Sequence, residues 1–302
     1  MRPILGELEQ GARVLFIRLR SMGDCVLTTP ALRMLASYRA DLKIGVMVDA
    51  AFAGVYEDLP FVQRVLQPTY GEALRFRPSL CMNLHGGTRS AFLTAASMAR
   101  HRAGFGHFRF QSLYNVAIPM AQEILGEERV VHTAEHVASA MFYLGLPVVE
   151  IPCAQLAADA AAVGGSPYAV LHPFASAVAK TWGASRFVAL ASWIRERKGL
   201  EPVILAGPAD DVAPFSSFRC EVARPLSEVK RLLRDAALFV GNDSGPAHIA
   251  AAFDVPLVVL FGPSDPTIWA PWRTTRAAVV TSDDALDTIT IEQVQRAVER
   301  VQ

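Results

Sequence analysis

Four short stretches of this chain hold side chains whose types and spacing suit chemistry on a phosphorylated ligand. The richest is Gly241-Asn-Asp-Ser-Gly-Pro-Ala-His248, which follows the apolar run 237–240. Gly241 and Gly245 permit a tight turn and close approach of a ligand to the backbone. Pro246 suits the first turn of a helix, where a missing N–H is harmless. A helix N-terminus offers N–H groups and partial positive charge to a phosphate. Asp243, Ser244 and His248 add polar groups at that seat.

The second stretch is His172-Pro-Phe-Ala-Ser176 followed by Lys180-Thr-Trp182. Its hydroxyl and ammonium suit a diphosphate, lysine being a point-charge phosphate binder. The alternative is a surface lysine beside a packed tryptophan. The third is Leu205-Ala-Gly-Pro-Ala-Asp-Asp211. Asp210 or Asp211 suits a ribose hydroxyl, as acids after Rossmann strands do, or else caps a helix. Three such loops in one half suggest a nucleotide-diphosphate site there. The fourth, Arg20-Ser-Met-Gly-Asp-Cys25, lies in the other half. Its Asp24 is either a helix N-cap or a general base.

Strands and helices must alternate to present these loops. In the first half, strands are expected at 13–19, 43–48, 62–66 and 79–84. Helices are expected at 25–38, 89–100 and 133–144, with Pro30 kinking the first or lying in its opening turns. In the second half, strands are expected at 168–172, 202–206, 237–241 and 257–261, and helices at 186–197, 226–235 and 291–301. This alternation implies an α/β fold with parallel sheets covered by helices on both faces. The break falls in 157–167, small and polar and ending Gly-Gly-Ser-Pro, a linker composition. The expected domains are 1–157 and 166–302, two Rossmann-like domains facing an interdomain cleft. The last helix is a candidate to pack back on the first domain.

Bulk properties agree with a globular protein of two ordinary domains. The chain has 302 residues, is 52% apolar and is formally neutral, which argues against a disordered or nucleic-acid-coating protein. The opening MRPILGELEQ has no apolar core, so no signal peptide is expected. The four cysteines form no C-x-x-C pair, as suits a cytosolic chain with reduced thiols. One local asymmetry stands out: residues 73–122 contain no Asp or Glu but include Arg75, Arg77, Arg89 and Arg109. They are either solvated arginines or a basic surface for an anionic substrate or membrane.

Other patterns carry less. His132-Thr-Ala-Glu-His136 matches the inverted zinc-protease spacing, with no third ligand identifiable, and no metal is expected. Gly104-Phe-Gly-His-Phe-Arg109 begins like a dinucleotide fingerprint but has Arg at the third glycine. No P-loop is present. Trp269 and Trp272, in a proline-rich loop, are candidates to contact a ligand.

Taken together, Phe16-Ile-Arg-Leu-Arg-Ser-Met-Gly-Asp-Cys-Val-Leu-Thr-Thr-Pro-Ala-Leu32, His172-Pro with Ser176 and Lys180-Thr-Trp182, Gly241 to His248 and Leu260-Phe-Gly-Pro-Ser-Asp-Pro266 resemble glycosyltransferase family 9, the ADP-heptose:lipopolysaccharide heptosyltransferases. The resemblance covers most of the chain in order. It implies a GT-B architecture with the nucleotide sugar on the C-terminal domain. It also implies inverting, metal-independent transfer of heptose to a lipid-linked, anionic oligosaccharide core, with no cofactor, on the cytoplasmic side at the inner-leaflet membrane surface. Asp24 would be the base. Ser176, Lys180, Ser244 and Gly245 would hold the diphosphate, Asp243 the donor sugar and Asp210 the ribose. Arg75, Arg77, Arg89 and Arg109 would face the acceptor or the anionic surface. The alternatives are a transferase of the same fold with another nucleotide sugar or envelope glycan, or a nucleotide-sugar epimerase or hydrolase.

Overall fold

The computed structural model of the protein describes residues 3–159, 165–282 and 285–302. The chain divides into two compact units, Met1–Ala157 and Ala158–Gln302. Residues 160–164 of the expected linker lie outside the described residues.

The first unit carries strands β1 (Arg13–Ile17), β2 (Lys43–Met47), β3 (Arg64–Leu66), β4 (Leu80–Asn83), β5 (His101–Phe105) and β6 (Val116–Ile118). Their spatial order is β3-β2-β1-β4-β5-β6, and every pair is parallel. The helices are α1 (Ile4–Glu7), α2 (Met22–Tyr38), α3 (Tyr70–Phe76), α4 (Thr88–Ala96), α5 (Ala121–Leu125) and α6 (Thr133–Tyr143). Alternate residues of β1 face opposite layers. Leu15 and Ile17 join Ala73 and Phe76 of α3 and Leu93 of α4 in one core layer. On the other layer α2 packs against α6. This division follows from right-handed crossovers: the path reverses direction between β3 and β4, so the crossover elements change face.

The second unit repeats the plan with β7 (Tyr168–His172), β8 (Glu201–Ala206), β9 (Arg219–Val222), β10 (Leu238–Asn242), β11 (Leu257–Phe261) and β12 (Ala277–Thr281). The order is β12-β11-β10-β7-β8-β9, again all parallel. Its helices are α7 (Ala184–Lys198), α8 (Leu226–Arg234), α9 (Gly245–Ala252), α10 (Pro266–Trp269) and α11 (Ile291–Val301). Both sheets therefore have the doubly wound order 3-2-1-4-5-6, counted within each unit.

Several expectations are corrected. The last helix, α11, packs on β11, β12 and α7 within the second unit. Its Val294, Ala297 and Val298 join the core with Val258 and Leu260 of β11, so its apolar stripe is already covered there. Strands β5, β6, β9 and β12 were not expected from the sequence; three of them are sheet edges, β6 has only three residues, and β5 begins His-Arg. Gly104, read as the start of a weak fingerprint, lies inside β5, where a Cβ would sit 2.8 Å from the Tyr114 ring. Pro30 lies inside α2 rather than in its opening turns. A proline there cannot bond the Val26 carbonyl, and the Thr29 hydroxyl donates to that oxygen instead at 2.8 Å.

Candidate active site

In an open parallel sheet the loops at the carboxyl ends of two adjacent strands diverge where the winding reverses, leaving a ligand-sized crevice. In the first unit that point lies between β1 and β4; in the second, between β7 and β10. The loops of interest leave these strands.

The β1 exit holds Arg18 to Asp24. Helix α2 begins three residues earlier than the pattern suggested, at Met22, so Ser21 is its N-cap and Asp24 its third residue. Asp24 Oδ2 accepts from the Ser21 N–H at 3.3 Å and from the Ser21 hydroxyl at 3.1 Å. The cap role is thus real, though as the acidic partner of a capping box. Asp24 Oδ1 lies 3.3 Å from Arg18 Nη2. Arg18 is buried, donating from Nη1 to the Leu84 carbonyl at 2.6 Å and from Nε to Thr28 Oγ1 at 3.3 Å. That arginine ties the β1 exit to the β4 exit across the reversal. Asn83, the last residue of β4, accepts from the N–H groups of His85 and Gly86 and donates to the Tyr114 hydroxyl at 2.7 Å. His85 is half-buried; burial, then the Arg18 and Arg20 guanidiniums, hold it below the usual histidine value. Neither Arg18 nor Asn83 was singled out from sequence. The available signal was a charged or amide residue directly ending an apolar strand.

The second unit gathers Lys180, Asp243, Ser244 and Gly245. Lys180 ends a short 3-10 turn after β7, and Asp243 follows β10. Lys180 Nζ lies 3.1 Å from Asp243 Oδ2. Ser244 is the N-cap of α9, with Gly245 and Pro246 opening the helix. The Ser244 Oγ is buried and has no hydrogen-bond partner. A buried unpaired hydroxyl is costly unless a ligand completes it. Beneath them Asn242 is fully buried, accepting from the Trp182 N–H at 3.2 Å and donating to the Pro173 carbonyl at 2.9 Å. It thereby fixes the β7 exit against the β10 exit. Trp182 is a core residue, its Nε1 donating to the Ile289 carbonyl.

The remaining site residues are more dispersed. Ser176 is exposed on the β7 loop. Asp210 caps the turn after β8, its Oδ2 accepting from the Gly207 N–H at 2.7 Å, and Asp211 accepts from the Ala213 N–H. His172 is buried, its Nδ1 2.8 Å from the Leu205 carbonyl, and burial lowers its pKa. Trp272 lies under the Arg273 guanidinium, and Trp269 ends α10. In the first unit, Arg75 pairs with Glu72 and Arg89 with Asp49, acids outside the acid-free stretch, while Arg77 and Arg109 are exposed. His132 caps α6, Glu135 closes that capping box and pairs with Arg129, and His136 stacks on Phe105. Among the described residues, no three His, Cys, Asp or Glu side chains converge as a metal site.

A model of glycosyltransferase family 9 (heptosyltransferase) matches residues 72–296. The chain is 38% identical over 121 residues to lipopolysaccharide heptosyltransferase 3 of Escherichia coli, covering 36% of this chain and 35% of that protein, about a third of its length. It is 27% identical over 293 residues to lipopolysaccharide heptosyltransferase 1 of Pseudomonas aeruginosa, covering 84% of this chain and 79% of that protein. The structure of E. coli ADP-heptose LPS heptosyltransferase II matches with a TM-score of 0.81 at 20% identity, over 96% of this chain and 98% of that one. The two doubly wound sheets are those of a GT-B fold. On the strength of the family match, which spans most of its length, the chain belongs to glycosyltransferase family 9, the heptosyltransferases.

Proposed function

We propose that the protein transfers a heptose from ADP-heptose to a lipid-linked, anionic lipopolysaccharide-core acceptor, with inversion and without metal or other cofactor. The observation that carries this reading is the Lys180–Asp243 pair beside the orphaned Ser244 hydroxyl, at the winding reversal of the second unit. A cation, an unpaired hydroxyl and a helix N-terminus together form a diphosphate seat.

In this reading Ser176, Lys180, Ser244 and Gly245 hold the diphosphate, Asp243 the donor sugar and Asp210 the ribose. The ammonium and the α9 N-terminus stabilise the charge that builds on the departing ADP, a preorganised electrostatic contribution that does the work a metal does elsewhere. Asp24 takes the proton from the acceptor hydroxyl as it attacks the anomeric carbon. The lipid of the acceptor places the enzyme at the cytoplasmic face of the inner membrane. Arg75, Arg77, Arg89 and Arg109 are assigned to the acceptor's anionic groups or to that surface.

The test is calorimetric titration with ADP, UDP and GDP, with and without chelator. Preference for ADP, unchanged by chelation and weakened in Lys180→Ala, is the expected result. Preference for UDP or GDP would reassign the donor. Binding of none of the three would overturn the reading.

A further inference from the structure

We infer that the outer face of α3 and α4, with the turn after β5, is a docking surface for an anionic lipid bilayer. Helices α3 and α4 cover the same layer of the first sheet, since Ala73, Phe76 and Leu93 bury into one core beneath them, and they pack side by side. Their other sides face solvent. There Tyr70 and Leu74, one turn apart on α3, Phe92 on α4 and Phe110 after β5 are each between 44% and 56% exposed. Phe92 and Phe110 touch, with ring centroids 5.4 Å apart, so the apolar surface passes from the helix to the turn.

Scattered exposed apolar residues are ordinary; several large ones on one face, rimmed by cations, are not. Arg77, the C-cap of α3, and Arg109, in the turn after β5, are exposed; the one acid that α3 carries, Glu72, is held by Arg64 and Arg75, and the segment 73–122 supplies no carboxylate. The pairing of aromatic and aliphatic side chains with arginines is the composition of an interfacial binding face. Its charge complements phosphate headgroups, whereas a second copy of the same face would repel it. No described helix is long and apolar enough to cross a membrane, so attachment through this surface does not duplicate an anchor among the described residues.

The face also has a useful position. Tyr70 follows β3 and Phe110 follows β5, so both lie toward the carboxyl ends of the strands, the end from which the Asp24 loop leaves β1. A bilayer met there would present a lipid-linked hydroxyl on the side of the unit that carries Asp24. The inference rests on the proposed function for this purpose, since that reading makes the acceptor lipid-linked.

The test is flotation of the protein with vesicles of phosphatidylethanolamine and phosphatidylglycerol, against vesicles of phosphatidylcholine alone. Salt-sensitive binding to the anionic vesicles is expected. The pair Arg77→Gln and Arg109→Gln should weaken it about thirtyfold, and Phe92→Ser with Phe110→Ser should weaken it by at least a similar factor. Arg197→Gln, on exposed α7 surface of the other unit, should leave it unchanged. Calorimetric titration with ADP on each preparation separates the two ideas. Loss of vesicle binding with ADP binding intact in the variants supports the docking face. Absent vesicle binding in a wild type that binds ADP overturns it while leaving the proposed function standing. Absent ADP binding overturns the proposed function, and vesicle binding then judges the face alone. Equal binding to neutral vesicles, or a solution dimer dissolved by the same substitutions, would also overturn it.

Discussion

Asn83 and Asn242 occupy the same place in the two units: each is the buried last residue of the strand just across the winding reversal from the unit's first strand. Each spends its side chain on the loops there. Asn83 holds the His85 and Gly86 N–H groups, and Asn242 bridges the Trp182 N–H to the Pro173 carbonyl.

Asn242→Ala should strand those two backbone groups and leave a small void. The expected loss is about 2–4 kcal/mol of stability, from buried groups left unpaired. ADP affinity should fall with it, because the Lys180 and Ser244 loops lose their common support. Denaturant unfolding and calorimetry check both; unchanged unfolding would show that the amide is dispensable.

Arg18→Met removes a buried guanidinium that meets Asp24, Thr28 and Leu84. Deleting one partner of such a pair costs about 3 kcal/mol. Arg18→Lys should recover part of the stability, but less of the turnover, because an ammonium cannot span the three partners in the same plane. Lysine restoring full turnover would reduce Arg18 to a local counter-charge.

Asp24→Asn keeps the shape of the capping box while removing the base. Under the proposed function transfer should fall by about 10²–10⁴, with ADP affinity nearly unchanged. Steady-state kinetics beside calorimetry read the two separately, and retained turnover would dismiss Asp24 as the base.

His136 stacks on Phe105 with ring centroids 4.0 Å apart. Burial, then His107 and Arg18, push its pKa down to about 4. The unfolded chain therefore takes this proton before the folded chain does. Stability from the neutral ring is complete above about pH 6.5 and is lost as pH falls from there toward the folded value. His136→Gln should flatten the fall in urea midpoint between pH 7 and pH 4.5. A wild-type and variant difference that stays constant with pH would exclude this histidine as a source.

Gly241→Ala tests the closeness of the site backbone. Its Cβ would lie 2.8 Å from Phe239 and 3.1 Å from the His172 carbonyl, so about 1–3 kcal/mol of stability should be lost to overpacking. A thermal melt is sufficient, and an unshifted midpoint would show that the strands can separate there.

Much of this protein was legible in its sequence because the relevant signals are local. Alternating apolar runs and helical periods announced parallel sheets, glycine-bearing turns at strand ends marked the loops with Asp24 and Asp243, and a hydroxyl and an ammonium after β7 marked the loop with Lys180. The edge strands β6 and β9 were not legible, since β6 is only three residues long and β9 is half charged, so pairing with a neighbour completes each of them. Nor could sequence say that α11 closes the second core, because an amphipathic stripe specifies that a surface must be buried but not which one. The tertiary structure alone decided that Arg18 reaches Leu84 across 66 residues and that Lys180 meets Asp243 across 63. Those pairings depend on which strands become neighbours at the winding reversal, a long-range outcome of packing that no residue encodes by itself.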